Sequence, residues 1–287
     1  LNRESTKSTR EREFSFTQED FDFLRQVSNQ RTGIVVSDDK FDMFYSRLSR
    51  RVRKLGLRSF REYCELIRRE PEDGAEMVEL INAITTNLTA FFRENHHFEY
   101  LAKQVVPELL EKNRQQREID IWSAGCSTGE EPYSLSITAL EALQGHAGWR
   151  THILATDIDS NVLARAASGV YPLERVTGLG QARLKRWFFK GKGSQEGKVR
   201  IKPEVLRQIQ FGQLNLMQQW SLDAPKDVIF CRNVIIYFDK ESKMRLINRF
   251  ADHLKPGGYL FIGHSESLYK VTDRFELLGQ TIYRRVR

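Results

Sequence analysis

Ile119-Asp120-Ile121-Trp122-Ser123-Ala124-Gly125-Cys126-Ser127-Thr128-Gly129-Glu130-Glu131 is the stretch whose reading decides the fold. Its apolar start, up to Ala124, reads as a strand. The glycines mark a turn, and a helix is expected from about residue 131 to 143. In open α/β sheets, a nucleotide-like ligand sits where a strand passes through such a turn into a helix. Glycine there lets the backbone approach the ligand closely. The turn lacks the G-x-G-x-x-G spacing of dinucleotide sites. Glu130 and Glu131 would repel a pyrophosphate at the helix start, whereas a ligand bearing an ammonium or sulfonium cation would be held. The same two acids also suit the macrodipole of any helix.

The pattern continues outward on both sides. Residues 152–156 read as a second strand, ending on Asp157 and followed by a helix over 161–167. An acid at that place accepts both hydroxyls of a ribose, or it caps the next helix. Asp157 is read as the ribose acceptor and Asp159 or Ser160 as the cap. A buried strand over 228–231, a helix over about 242–254 and a strand over 259–263 follow. Residues 275–278 and 281–283 pair across Gly279-Gln280, so the last strand is expected to be antiparallel. Strands alternating with helices imply a parallel sheet wrapped by helices. Between Tyr171 and Gln210 two β-prone runs flank a glycine-rich turn, a hairpin signal. A small β subdomain inserted at about residues 171–210 is therefore expected.

Toward the N-terminus the rhythm is helical. Residues 1–14 are charged and read as a frayed tail. Thr17 and Asp20 mark a helix start. Phe41, Phe44, Tyr45, Leu48, Val52 and Leu55 form one apolar stripe, and Gly56 ends that helix. Arg47, Arg51 and Lys54 form a second stripe, within about 60° on one helix face. Further helices carry Phe60, Tyr63, Leu66 and Ile67, then Met77, Leu80, Ile81 and Ile84, with a turn at 70–74. Residues 15–88 thus read as a small all-helical domain and 89–287 as the α/β domain. Leu101, Val105, Val106, Leu109 and Leu110 mark one more amphipathic helix.

Composition narrows the class. The 287 residues are 40% hydrophobic and 29% charged, an ordinary soluble mix. No run reaches the ~20 apolar residues of a membrane span, and the polar first residues suggest no signal peptide. Cys64, Cys126 and Cys231 show neither zinc nor disulfide spacing, so a cytoplasmic setting is expected. A net charge of +7 predicts an acidic partner. Nucleic acid, an anionic membrane and an acidic protein surface all satisfy it. His96 and His97 are adjacent, so they point about 100° apart on a helix and no metal site is expected.

Four stretches carry a specific resemblance. Thr85-Thr86-Asn87-Leu88-Thr89-Ala90-Phe91-Phe92-Arg93-Glu94, Ser127-Thr128-Gly129-Glu130-Glu131-Pro132-Tyr133-Ser134, Cys231-Arg232-Asn233-Val234-Ile235-Ile236-Tyr237-Phe238 and Gly263-His264-Ser265-Glu266-Ser267 together resemble the chemotaxis receptor methyltransferase (CheR) family. They follow the family order from about Asp20 to Tyr283. The Gly125-Cys126 pair is a small departure. The resemblance implies a class I S-adenosylmethionine-dependent methyltransferase fold with a small all-helical N-terminal domain and an inserted antiparallel β subdomain. It implies transfer of a methyl group to glutamate side chains of chemoreceptors, leaving S-adenosylhomocysteine.

It also implies sites. Asn87, Thr89 and Arg93 would reach the cofactor. One of Glu130 and Glu131 would bind the methionine ammonium, with Glu131 preferred. Asp157 would hold the ribose, Asn215 and Leu216 would flank the adenine, and Arg232 and Asn233 would lie beside the methionine end. Tyr237 would face the reacting methyl. Lys190, Gly191, Gly193, Gly197 and Arg200 would capture a C-terminal receptor peptide as an added strand. The Arg47, Arg51 and Lys54 stripe would meet the acidic cytoplasmic helices of the receptor, recruiting the protein to membrane receptor arrays without insertion.

A glutamate carboxylate has a pKa near ~4.3, so it is ionised at neutral pH and needs no general base. The sequence indeed shows no obvious catalytic His or Cys constellation. Arg93 can hold the carboxylate, and Tyr237 can orient it. Two rivals compete. A nucleic-acid methyltransferase would suit the basic charge, but the place after the fourth strand reads Arg232-Asn233-Val234-Ile235, without the Asn/Asp-Pro-Pro-aromatic loop of base-amino enzymes. A non-catalytic cofactor-sensing adaptor would bind the cofactor without transfer.

Overall fold

A computed structural model describes residues 12–287. These form two compact units, one of the residues up to Arg31 with Val35–Ile84, the other of Thr32–Ile34 with Thr85–Arg287. The frayed tail expected at 1–14 lies outside the described residues up to residue 11. Within its described part Phe14 is buried, and Glu13 pairs with Arg53.

The first unit is built on α1 (Gln18–Thr32), α2 (Phe41–Lys54), α3 (Phe60–Arg69) and α4 (Ala75–Ile84). The start of α1 is a reciprocal cap: Asp20 N–H donates to Thr17 Oγ1 (3.2 Å), and Thr17 N–H donates to Asp20 Oδ2 (2.9 Å). Phe44, Leu48 and Val52 bury one stripe of α2 against Phe21, Phe60, Tyr63 and Leu80. Gly56, at φ +68°, closes α2: Leu57 N–H reaches Val52 O and Gly56 N–H reaches Arg53 O.

The second stripe of α2 is not the free basic face its spacing suggests. Arg51 turns inward to a bidentate pair with Glu76 and a 3.1 Å pair with Glu79, and Tyr63 Oη donates to Glu76 Oε1 at 2.9 Å. Its side chain is only 14% exposed. Arg47 donates to Ile84 O at 2.8 Å. Of the three residues, Lys54 is exposed, and Arg50, one turn before it, is exposed too. Periodicity gives an angle around the helix, not the neighbour that a long side chain reaches.

The second unit holds α5 (His96–Tyr100) and α6 (Val106–Lys112), joined by a π turn over Leu101–Val105. The expected single helix is therefore continuous, with a local bulge just before Pro107, where a missing N–H breaks the ladder. Then come β1 (Glu118–Ala124), α7 (Glu130–Ala142), β2 (Arg150–Asp157), α8 (Ser160–Ser168), β3 (Val170–Pro172), α9 (Gln181–Trp187), β4 (Phe188–Lys190), β5 (Lys198–Ile201), α10 (Pro203–Leu206), β6 (Ile209–Gln213), β7 (Lys226–Cys231), α11 (Lys240–His253), β8 (Leu254–Ile262), β9 (Phe275–Gly279) and β10 (Ile282–Arg285).

The main sheet runs β6-β2-β1-β7-β8-β10-β9. Its first five strands are parallel, and β10 is antiparallel to both β8 and β9. Alternate residues feed two cores: Ile119, Ile121, Val228 and Phe230 pack with Tyr133 and Ile137 of α7, while Trp122, Ile229, Cys231 and Leu260 pack with Leu246 and Phe250 of α11. Both faces are thus covered, as a parallel sheet requires.

The insertion is a separate antiparallel sheet in the order β3-β5-β4. Phe188 lies opposite Ile201 and Tyr171 opposite Val199, and these four are buried. It ends before Ile209, because β6 belongs to the main sheet, pairing parallel with β2. The Ile-Gln-Phe-Gly-Gln run of β6 gives little strand signal because it is an edge strand with only partial burial.

Candidate functional site

Four parallel strands deliver their carboxyl ends to one cleft within the second unit. Gly125 and Ser127 follow β1, Asp157 ends β2, Leu214, Asn215 and Leu216 follow β6, and Arg232 and Asn233 follow β7. This is where open α/β sheets bind ligands. The irregular segment from Thr85 to Arg93 lines the cleft as well, together with Tyr237 and Phe238. Its empty space is ≈ 950 Å³, open solvent at the mouth included, enough for a nucleoside-sized ligand.

The turn after β1 depends on backbone conformations that only short side chains allow. Gly125 and Gly129 have φ of +85° and +95°, and a Cβ on Gly129 would come within 2.8 Å of the Ala166 Cβ. Gly125 N–H and Cys126 N–H both donate to Thr156 O, so the β1 turn is tied to the end of β2. Ser127 N–H then donates to Asp157 Oδ2 at 2.7 Å, and Asp159 N–H donates to Asp157 Oδ1 at 3.0 Å. Asp157 is buried, which pushes its pKa up, against the pull of those two N–H groups. Each oxygen keeps a lone pair that can accept from a ligand hydroxyl.

Asp159 has a different task. Its Oδ1 accepts from Asn161 N–H and Val162 N–H as the cap of α8. Its Oδ2 accepts from Thr85 Oγ1 (2.9 Å) and Asn87 Nδ2 (2.8 Å), and Asn87 O accepts from Ser127 Oγ. Asn87 therefore lines the cleft while its amide anchors the 85–93 segment.

The two acids opening α7 separate. Glu131 lines the cleft, accepting from Ser123 Oγ (2.7 Å) and Arg232 Nη1 (3.1 Å). Burial raises its pKa, and Arg232 and Ser123 pull it back. Glu130 is not in the cleft wall. It accepts from Thr128 Oγ1 and from Arg175, whose guanidinium also binds Thr89 O. Glu130, offered with Glu131 for the methionine ammonium, is thus placed away from the cleft wall: one residue's rotation on the helix turns it to a different partner.

Arg232 is almost fully enclosed, with 2% side-chain exposure. Besides Glu131 it pairs with Glu94 (3.1 Å) and donates to Arg93 O, while its Nε is buried without a partner among the described residues. Glu266 organises the opposite loop, accepting from Gly263 N–H, Asn233 N–H and Ile236 N–H. Arg93 lies at the wall with Nη1 on Leu88 O.

The cleft collects Asn87, Thr89, Arg93, Glu131, Asp157, Asn215, Leu216, Arg232, Asn233 and Tyr237. Lys190, Gly191, Gly193, Gly197 and Arg200 are in the inserted sheet and its loop, and Arg47, Arg51 and Lys54 are in the first unit; none of them lines it. Sequence reasoning gave no role to Glu94 or Glu266, although both sit inside quoted motifs. It also misjudged the histidine pair. The His96 and His97 rings are 4.2 Å apart, and a ligating atom of each lies within 4.8 Å of the others and of the Glu94 carboxylate. The angular argument against a shared face therefore fails, because side-chain bends bring adjacent rings together. That carboxylate is already bonded to Arg232 and His264.

Two acceptor carboxylates and apolar walls from Ile158, Leu214, Leu216, Val234 and Phe238 suit a cationic ligand with a nucleoside. Comparison with known proteins points the same way. Residues 19–85 match the model of the CheR methyltransferase all-alpha domain, and residues 87–284 match that of the CheR methyltransferase SAM binding domain. The chain is 46% identical to the chemotaxis protein methyltransferase of Salmonella typhimurium over 259 residues, covering 90% of this chain and 87% of that protein. It is 45% identical to chemotaxis protein methyltransferase 2 of Pseudomonas aeruginosa over 272 residues, 94% of each. With the chemotaxis protein methyltransferase of Escherichia coli it shares 45% over 261 residues, 91% of this chain and 88% of the other.

Proposed function

Because the chain belongs to the CheR methyltransferase family, we propose that its cleft directs methyl transfer from S-adenosylmethionine to glutamate side chains in the cytoplasmic helical region of chemoreceptors, forming methyl esters. The protein is an S-adenosylmethionine-dependent methyltransferase of the chemotaxis type. The observation that carries the reading is the cleft at the strand ends, whose carboxylates Asp157 and Glu131 lie within the matched span.

The residues present fit the cofactor. Asp157, oriented by Ser127 N–H and Asp159 N–H, offers acceptors to the ribose hydroxyls. Glu131 offers its charge to the methionine ammonium. Asn215 and Leu216 would flank the adenine, and Asn87, Thr89 and Asn233 complete the wall. When bound, S-adenosylmethionine supplies an electrophilic methyl on a sulfonium. The substrate carboxylate is already ionised, so the site needs no base. Arg93 has guanidinium donors beyond the one on Leu88 O, and these can align the carboxylate and strip its water. Its hold must stay moderate, since tight binding of the ground-state anion slows transfer. Tyr237, half-buried at the wall, can orient the carboxylate as well.

Two further surfaces serve the receptor. The free edge of β4, with Lys190, the Gly191, Gly193 and Gly197 loop and Arg200, suits an extended receptor tail peptide added as a strand. On the first unit, the exposed pair Arg50 and Lys54 takes the docking role first given to the whole stripe. Both surfaces would recruit the protein to receptor arrays. No described helix is long and apolar enough to cross a membrane. The test is incubation with labelled S-adenosylmethionine and membranes carrying chemoreceptors. Base-labile label on the receptor is expected, and its absence, or label on nucleic acid, would refute the reading.

A further inference from the structure

The charged groups in the cleft wall are Arg93 and Arg232 on one side of the balance and Glu131 and Asp157 on the other. They cancel, so the field in the site depends on the carboxylates behind the wall. Asp159 stands behind Asn87 and Glu266 behind Asn233, and a third is Glu94, which does not line the cleft and is 11% exposed. It adopts φ +56°, a left-handed conformation rare for a residue with a side chain. From there its carboxylate reaches Arg232 at 3.1 Å, and accepts from His264 Nδ1 at 2.8 Å and His264 N–H at 3.2 Å. Burial pushes its pKa up, but His264 and Arg232 outweigh this and hold it at about 2. Glu94 is therefore a permanent anion, joining the turn after the 85–93 segment to the loops after β7 and β8.

We infer that Glu94 is a positioning residue that adds negative charge to the cofactor site: by sharing Arg232 with Glu131 it leaves the buried Glu131–Arg232–Glu94 triad with one net negative charge, which shifts binding toward the cationic methyl donor relative to its uncharged product. Without Glu94, Arg232 and Glu131 neutralise each other. S-adenosylmethionine carries an ammonium, a carboxylate and a sulfonium, one net positive charge. S-adenosylhomocysteine has lost the sulfonium charge and is neutral overall. A negative potential where the sulfonium sits attracts the first more than the second. Glu94 thus strengthens binding of the donor more than that of the product. Arg232, enclosed and pulled from both sides, keeps Glu131 in place but cannot cancel its charge.

The inference rests on the S-adenosylmethionine reading of the cleft. Its test is calorimetric titration of the folded protein with both ligands, alongside a thermal melt. In Glu94→Gln, affinity for S-adenosylmethionine is expected to fall about tenfold, and that for S-adenosylhomocysteine by less than about threefold. The double variant Glu94→Gln/Arg232→Gln keeps Glu131 as the net charge, so it should return the ratio of the two affinities to the wild-type value. Equal losses for both ligands in Glu94→Gln, or a double variant whose ratio is no better than the single's, would overturn the inference. If Glu94→Gln does not fold, Arg232→Gln is used instead: it leaves Glu94 and Glu131 without their shared cation, so the ratio of the two affinities should move further toward S-adenosylmethionine, and an unchanged ratio refutes the charge role. Failure of the wild type to bind either ligand would instead sink the cofactor reading, and this inference with it.

Discussion

Asp157 shows how a single carboxylate can be placed before a ligand arrives, since two backbone N–H groups fix both oxygens. Asp157→Ala should weaken S-adenosylhomocysteine binding by about 1.5–3 kcal/mol for each hydroxyl it accepts. Calorimetric titration checks this, and unchanged affinity would leave Asp157 as a loop organiser only. Arg93→Lys keeps the charge but loses the planar fork, so turnover should fall. Tyr237→Phe should likewise lower kcat more than it raises KM for the cofactor. Wild-type turnover in both variants would remove them from the reaction. His97 provides a pH dependence. Its ring is fully buried, Nε2 donates to Gln280 O at 2.9 Å, and burial holds its pKa down to about 4. The folded state keeps the ring neutral, whereas the unfolded chain takes up the proton near pH 6.5. Stability present above pH 6.5 is therefore lost as pH falls toward 4, by up to about 2 kcal/mol at pH 5. Urea midpoints at pH 7 and pH 5 should differ more for the wild type than for His97→Gln, a comparison that removes the background of other titrating groups.

At the scale of an element, the inserted sheet is a three-strand scaffold with one hydrophobic face and an open edge. Phe188, Ile201, Val199 and Tyr171 bury the inner face, while Phe189 lies opposite Arg200 on the outer one. The seven-residue loop between β4 and β5 is tight at its start, where a Cβ on Gly191 would overlap the Gln195 carbonyl. Strand addition at β4 needs that loop and the nearby cations. Arg200→Glu is expected to weaken binding of an acidic-aromatic receptor tail peptide at least about tenfold, with cofactor affinity unchanged because Arg200 is not in the cleft. Fluorescence titration with labelled peptide measures it. If the wild type binds no such peptide, the edge serves another purpose.

Across the whole molecule, charge has to be divided into what holds the fold and what faces partners. Arg51 belongs to the first group through Glu76, Glu79 and Tyr63. Arg50 and Lys54 are exposed, and the proposed receptor docking assigns them to the second. Reversing both to glutamate should raise the apparent KM for receptor, most strongly at low salt, without changing kcat or cofactor affinity. Arg51→Ala should instead lower the melting temperature, since it leaves a buried glutamate uncompensated at a cost of about 3 kcal/mol. Methylation kinetics at low receptor concentration, paired with thermal melts, separates the two. Unaltered kinetics in the Arg50 and Lys54 reversal would move receptor docking elsewhere.

Local chemistry was legible in the sequence. Apolar periodicity marked β1, β2, β7 and β8, and Thr17 with Asp20 marked the start of α1, because strand alternation, helical period and caps involve neighbours within a few residues. The glycine turn followed by acids gave the cleft its place and its preference for a cation. The tertiary structure alone decided which of Glu130 and Glu131 faces the cleft, and that Arg51 is spent inside its own unit. It alone placed β6 at the edge of the main sheet and brought His96 and His97 together. It also joined Glu94 to Arg232 and His264, across 170 residues of chain in the latter case. Each of these rests on a partner far away in sequence, and a long charged side chain samples directions that no local pattern fixes until that partner is in place.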